Sequence, residues 1–361
     1  MHKTSTRLAD DREIIYFDRT IGRGTPAADQ RDLPEQTAIS RVRYDVATGD
    51  WVTVAGHRQS RGFAPDAAHC PLCPSRDGRL TEIPAEDYEV VAFENRFPAL
   101  TSRAADDEHD TGGDLLRSAT AAGRCEVICF SSDHDASFAE LKADQIRLVL
   151  DAWIDRSRDL SALDGVVEVF CFENRGPEMG VSQPHPHGQI YAYPFVTPRT
   201  KRMLAQAVDY RAAHGDNMFE ALVAAEIQEN RRVVRATDEW IAFVPFAARW
   251  PYEVHVYPRR RRTDLTGLDE AQRDTFATIY ADMLQRFERL FDAPTPYVSA
   301  WHQAPQGATG ADDFAVHVEL FTNRRSNDRL KVLGGTEVAM DTFSNDIGPE
   351  QAAERLRDLG D

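Results

Sequence analysis

The sequence has no apolar stretch long enough to cross a bilayer. Its longest, such as Val166 to Phe172, fall far short of the roughly 20 residues a membrane-spanning helix needs. The first residues, Met1 to Asp11, alternate charged and polar side chains and build no signal-peptide core. Positive charge is also short: 42 Lys and Arg stand against 59 Asp and Glu, a formal net charge of −17. A field of that sign repels polyanions, which excludes nucleic acid and anionic membrane surfaces as general partners. Cysteine is scarce and odd in number, five in 361 residues, which speaks against a disulfide framework and leaves metal ligation or burial. These absences together predict a cytoplasmic protein. What is present is a 42% hydrophobic content, enough for one large core or two modest ones.

Two segments, Ala27 to Gln36 and Ser102 to Gly113, have turn-forming or acidic composition without periodicity and are expected to be exposed loops. The rest of the chain reads as a duplication. A first unit has strand-like runs at Tyr88–Phe93 and Cys125–Phe130, then a helix with Ile146, Val149, Leu150 and Trp153 on one face, then strands at Val166–Phe172 and Gln189–Tyr193. A second unit repeats the order. It has strands at Trp240–Val244 and Glu253–Tyr257, a helix with Phe276, Ile279, Tyr280, Met283, Phe287 and Leu290 on one face, and strands at Tyr297–Trp301 and Phe314–Phe321. Glu126-Val127 and Glu253-Val254 fall at matching places in the two units. Strand pair, helix, strand pair, twice over, predicts an α+β fold with a mainly antiparallel sheet covered by helices, divided at residues 1–200 and 201–361. A last helix is expected at Pro349–Leu359.

The segment Ser182-Gln183-Pro184-His185-Pro186-His187-Gly188-Gln189 concentrates the chemistry. In an extended backbone His185, His187 and Gln189 point the same way. The prolines hold the chain extended, and Gly188 lets another group approach the backbone closely. Neutral imidazole is a competent nucleophile toward phosphorus, and a neighbouring amide can donate to a phosphoryl oxygen as charge shifts. A bare His-x-His is equally compatible with a metal site or a polar core; Gln189 in phase with the histidines favours the nucleophile.

With Phe172-Glu173-Asn174-Arg175-Gly176 and Met179-Gly180 just before it, this segment closely resembles the galactose-1-phosphate uridylyltransferase family of the histidine-triad superfamily. The resemblance runs from about Arg43 to Leu356 and implies two tandem histidine-triad-like units. It implies that His187 is the nucleophile of a uridylyl-enzyme intermediate and that Gln189 steadies the phosphoryl group. Asn174, Gly180 and Ser182 match positions that contact the nucleotide phosphates or orient the nucleophile. Val181 stands where the family often has Cys. Arg58 and Arg61 match a basic pair brought to phosphate from the neighbouring subunit of a homodimer. Asn95 and Phe97 match positions at the uridine, with Arg96 where some members have Asp.

Cys70-Pro71-Leu72-Cys73 has the spacing that lets two thiolates reach one tetrahedral ion, although two buried cysteines in a turn look the same. The resemblance supplies His134 and His185 as the remaining ligands of a Cys₂His₂ zinc. Cys125, Cys129 and Cys171 lie in apolar strand-like runs and are expected to be buried. His302, His317 and Glu319 correspond to an iron or zinc site in some relatives; equally, they could form a hydrogen-bonded core cluster. Without a Gln189-like partner in register, the second unit is expected to be catalytically silent.

Lys331, Gly335 and Glu337 match the family's C-terminal substrate segment, Lys331 toward phosphate and Glu337 toward sugar hydroxyls, while Phe343 stands near where some relatives have a sugar-binding Gln. The resemblance implies UDP-glucose as donor and galactose 1-phosphate as acceptor, in a ping-pong reaction. Two alternatives remain: an adenylyltransferase or dinucleoside-polyphosphate phosphorylase on the same scaffold, or a non-enzymatic zinc module.

Overall fold

The computed structural model describes residues 1–20, 27–34, 40–60, 67–101 and 113–360, so Arg61 and nearly all of the loop expected at Ser102–Gly113 lie outside the described residues. Its centre is a single sheet of eleven strands: β1 (His2–Arg7), β2 (Glu13–Asp18), β3 (Val90–Glu94), β4 (Arg124–Cys129), β5 (Glu168–Arg175), β6 (His187–Tyr193), β7 (Val233–Ala236), β8 (Trp240–Phe243), β9 (Tyr252–Pro258), β10 (Tyr297–His302) and β11 (His317–Thr322). The spatial order is β1-β2-β3-β4-β6-β5-β10-β11-β9-β8-β7. Its neighbouring strands pair antiparallel, as the α+β expectation required.

The order is nearly palindromic about the β5–β10 pair, where Phe172 lies opposite Ala300. Phe172 also pairs with Gln189 on its own side, and Ala300 with Glu319. Gln189 in turn pairs with Val127, and Glu319 with His255. Counting along the strands from these pairs, His317 is the counterpart of His187, His302 of Asn174 and Glu319 of Gln189. This corrects the expected match of Glu126 with Glu253. Val127 corresponds to His255, so Glu126 corresponds to Val254, and a shift of one residue turns a strand side chain to the opposite face. Glu126 faces the helices, held by Arg156 at 2.8 and 2.9 Å, while Glu253 faces the other side with His255 at 2.9 Å.

Helices α1 (Ala143–Ser161) and α4 (Glu270–Glu288) pack together on one face of the sheet. Every apolar residue assigned to their inner faces from periodicity is buried. Trp153 meets Trp301 at 6.2 Å and Phe138 meets Tyr280 at 5.2 Å, so both halves contribute to one continuous core. Helices α2 (Pro198–His214) and α3 (Met218–Glu229) follow β6; Gly215 in a left-handed conformation ends the first, and Asn217 caps the second by accepting from the Phe219 and Glu220 amides. Two short helices, α5 (Gly335–Met340) and α6 (Pro349–Asp358), close the chain. The first two strands and helices α2 and α3 have no counterpart among the elements expected from periodicity, and the apolar residues of the two helices do not mark a single clear stripe. No helix among the described residues is long and apolar enough to cross a membrane.

Candidate active site

A cavity of about 470 Å³ opens on the sheet face away from α1, walled by β4, β5 and β6 and by the loops after β3 and β5. Its lining includes His187, Gln189, Asn174, Gly180, Ser182, Asn95 and Phe97, residues from four separate segments. The register explains the convergence. His187, Gln189 and Asn174 alternate outward on paired strands, while Ile190 and Cys171 alternate into the core.

His187 donates its Nδ1–H to the His185 carbonyl at 2.7 Å, which leaves the lone pair of the neutral ring on Nε2. Tyr191 donates its hydroxyl to Gln189 Oε1 at 3.4 Å, leaving the amide NH₂ as the end that can donate. Asn95 Oδ1 accepts from the Phe97 amide at 2.8 Å, a local turn that sets both side chains on the cavity rim. Gly188 faces the core, where an added Cβ would lie 2.8 Å from both Phe130 Cζ and the Phe172 carbonyl oxygen. The close approach expected at Gly188 is thus made by the protein's own core. Gly180 has φ +77°, a conformation side chains resist, in the turn that delivers Ser182.

The expectation that His185 joins His187 and Gln189 is not met, because β6 begins only at His187 and the preceding prolines lie outside it. His185 turns instead to the cysteines. Its Nδ1 is 3.6 Å from Cys73 Sγ, and His134 Nδ1 is 3.4 Å from the same sulfur. The donor atoms of Cys70, Cys73, His134 and His185 all lie within 4.8 Å of one another. Sulfur and nitrogen bound tetrahedrally to one ion stand about 3.5 Å apart for ordinary zinc bond lengths, so the set fits a metal ion. His185 Nε2–H points to the Ser131 carbonyl at 2.8 Å and the Tyr88 oxygen at 2.7 Å, and the Tyr88 hydroxyl donates to the Leu72 carbonyl at 3.0 Å. That arrangement fixes Nδ1 as the ligand atom. Burial lowers His185 to about 4, so the ring stays neutral, and burial pushes the Cys70 thiol up to about 11. Cys125, Cys129 and Cys171 are buried as expected.

The second histidine cluster lies at the counterpart of the cavity; it brings together the predicted His302, His317 and Glu319 and adds Glu253 and His255. The carboxylate and imidazole atoms that converge within 4.8 Å are those of Glu253, His255 and Glu319. His302 Nε2 and His317 Nε2 stand 3.4 and 3.6 Å from Glu319. Glu319 occupies the place of Gln189, so the register does hold a partner there, of a kind that cannot donate when ionised. The spacing Glu253-Val254-His255 was the available signal for the missed members.

Several expected residues do not reach the cavity of their own chain. Arg58 lies in a short turn beside Pro98, whose carbonyl is 3.0 Å from His57 Nε2. Lys331 is buried and directed at the Arg249 carbonyl, 3.1 Å away, and the Ser344 carbonyl, with Glu337 Oε1 at 3.7 Å. Gly335 is exposed, and Glu337 accepts from the Gly334 amide and the Thr336 hydroxyl. Conversely, Glu82, Arg96 and Gln183 line the cavity. Glu82 came from no motif; only the chain's folding brings it beside Arg96, at 3.5 Å.

Two family models cover nearly all of the chain. Galactose-1-phosphate uridyl transferase, N-terminal domain, matches residues 30–197, and galactose-1-phosphate uridyl transferase, C-terminal domain, matches residues 203–361. The galactose-1-phosphate uridylyltransferase of Streptomyces lividans is 46% identical, the match covering 100% of this chain and 99% of that protein. That of Thermotoga maritima is 36% identical over 89% of this chain and 98% of its own length. A solved structure of a uridylyltransferase superposes with a TM-score of 0.77 at 30% identity, covering 88% of this chain and 98% of its own.

Proposed function

Because this chain belongs to the galactose-1-phosphate uridylyltransferase family and is a nucleotidyltransferase acting as a UDP-glucose–hexose-1-phosphate uridylyltransferase, we propose that it works through a uridylyl group carried on His187 Nε2. The donor is UDP-glucose and the acceptor galactose 1-phosphate. Nε2 attacks the α-phosphorus, the bond from that phosphorus to the bridging oxygen breaks, and glucose 1-phosphate leaves with the electron pair. A phosphate oxygen of galactose 1-phosphate then attacks the same phosphorus, His187 departs, and UDP-galactose forms.

The observation that carries this reading is the Nδ1–H bond of His187 to the His185 carbonyl, on a ring that borders the same cavity as Gln189, Asn174 and Ser182. The bonded Nδ1–H steadies the positive charge that grows on the ring as Nε2 bonds to phosphorus. Gln189 donates to a nonbridging oxygen, Asn174, Gly180 and Ser182 hold the phosphates, and Asn95 and Phe97 hold the uridine. Zinc is the ion whose preferences match Cys70, Cys73, His134 and His185; bound there, it would hold His185 and so the carbonyl that orients His187.

Residues 1–200 carry this chemistry, and 201–361 form a silent unit. Assembly as a homodimer is supported by the exposed apolar segment Val332 (83% exposed), Val338 (73%) and Met340 (74%) beside Lys331, Gly335 and Glu337. In the dimer that segment serves the partner's sugar and phosphate, as do Arg58 and Arg61. The enzyme works in the cytoplasm.

The test is intact-mass analysis of purified protein incubated with UDP-glucose alone, followed by addition of galactose 1-phosphate. A uridylyl adduct that disappears as UDP-galactose forms is the expected result. No adduct and no glucose 1-phosphate release from folded, zinc-replete protein would overturn the mechanism and turn attention to adenylyl substrates.

A further inference from the structure

Glu319 is 2% exposed, and its carboxyl is held well below the usual carboxylate range by the neighbouring His302 and His255, against the opposing effect of burial. A carboxylate kept ionised at that depth needs a cation close by. The second residue of α2 supplies it: Arg199 Nη2 lies 2.6 Å from Oε1 and 2.6 Å from Oε2. Around the pair stand His302 Nε2 at 3.4 Å and the Nε2 atoms of His255 and His317 at 3.6 Å. Glu253 completes the cluster with its oxygens already bonded, Oε2 to the Arg249 and Trp250 amides at 2.6 and 3.1 Å and Oε1 to His255 Nε2 at 2.9 Å.

Three imidazoles and a carboxylate are the donor set of a transition-metal site, one of the two readings the sequence left open for this region. The arrangement does not fit such a site. A metal ion bound to both Glu319 oxygens would sit about 2 Å from each, where it would have to displace the guanidinium nitrogen that already spans them at 2.6 Å. Two adjacent positive charges would repel each other there. The donor atoms of Glu253, His255 and Glu319 lie within 4.8 Å of one another, but His255 Nε2 is hydrogen-bonded to Glu253 Oε1 at 2.9 Å, so an ion there would have to break that bond as well as displace Arg199.

We propose that Arg199 is the resident cation of the second histidine cluster, in the place a divalent metal would take, so that the native site excludes transition metals and loss of the guanidinium opens one. The same contact ties the first turn of α2 to β11, fastening the connection between the two halves of the chain to the sheet. Nothing in this depends on the uridylyl chemistry.

The test counts metal per chain after dialysis against excess Zn²⁺ and then against metal-free buffer, for the wild type, Arg199→Ala, Arg199→Lys and Glu319→Gln. A parallel Co²⁺ titration separates the sites, because only the cysteine cluster gives thiolate-to-cobalt charge transfer. The expected result is one more ion per chain in Arg199→Ala than in the wild type, without added charge-transfer absorption, and its loss again when Glu319→Gln is combined. Arg199→Lys, which keeps the charge, stays at the wild-type count. A wild type that loses one ion per chain on Glu319→Gln would overturn the proposal, as would a folded Arg199→Ala that gains none. Should Arg199→Ala fail to fold, Arg199→Met takes its place under the same criteria.

Discussion

The carbonyl oxygen of His185 accepts the Nδ1–H of His187 at 2.7 Å, so a residue of the cysteine–histidine cluster sets the orientation of the ring that lines the cavity. His317 makes the same bond to the Ala315 carbonyl at 2.8 Å in the second half of the sheet. The two halves therefore share the histidine and its tether. They differ at the residue two places on, a neutral amide lining the cavity at Gln189 and a carboxylate paired with Arg199 at Glu319.

Replacing His187 by Asn should abolish the uridylyl adduct and reduce transfer on the order of 10⁴-fold or more, with the thermal midpoint little changed, since the side chain faces a cavity and not the core. Intact mass and steady-state rates on the same preparation check this. A variant with near wild-type turnover would mean that another group carries the uridylyl.

Gln189→Glu installs in the first half what the second half has at Glu319. It removes a donor and adds a negative charge where one develops, and kcat should fall about 10²- to 10³-fold. The reading fails if kcat is unchanged while only KM moves.

Tyr88→Phe removes the hydroxyl 2.7 Å from His185 Nε2 without touching a ligand atom. Loss of such a supporting contact should weaken zinc binding about 10-fold or somewhat more, measured by competition with a chromophoric chelator. Equal affinity in both proteins would remove Tyr88 from the support of the cluster.

Glu173 is buried behind the site, with Oε1 accepting from the Tyr297 hydroxyl at 2.9 Å and Oε2 without a partner. Burial raises it from 4.5 to about 7, against the smaller opposing effects of Tyr297 and Arg175. A folded-state value above the unfolded one means the native protein holds the proton longer. The stability is complete below about pH 4.5 and declines as pH rises through 7, a loss of about 3 kcal/mol for a shift of that size. Glu173→Gln, which cannot ionise, should flatten that decline and raise the melting temperature at pH 8 more than at pH 5. Denaturation profiles across that range decide it, and parallel curves for the two proteins would contradict it.

Much was legible in the residues themselves because the signals were local. A helix facing a core repeats every three to four residues, so the inner faces of α1 and α4 could be named one residue at a time, and all of them are buried. Cys70 and Cys73, with two residues between them, have the spacing that lets two thiolates reach one ion, and the fold brings His134 and His185 to the same spot. His187 and Gln189 alternate on one strand and so had to face one way.

Other features depend on distances that sequence spacing does not carry. Arg199 meets Glu319 across 120 residues, and Glu82 reaches the cavity wall beside Arg96 only after the chain has folded back on itself. The direction of His185 turned on where β6 begins, a boundary set by ladder hydrogen bonds to β4 and not by the alternation of side chains. That Val254 and not Glu253 is the counterpart of Glu126 is a shift of one residue, invisible in composition yet enough to reverse the face. The sequence by itself thus determined the alternation that lines the cavity with His187 and Gln189 and which faces are apolar, because those follow from side-chain type and local period. Only the tertiary structure decided register and long-range charge pairing, because both arise from contacts between segments that are far apart along the chain.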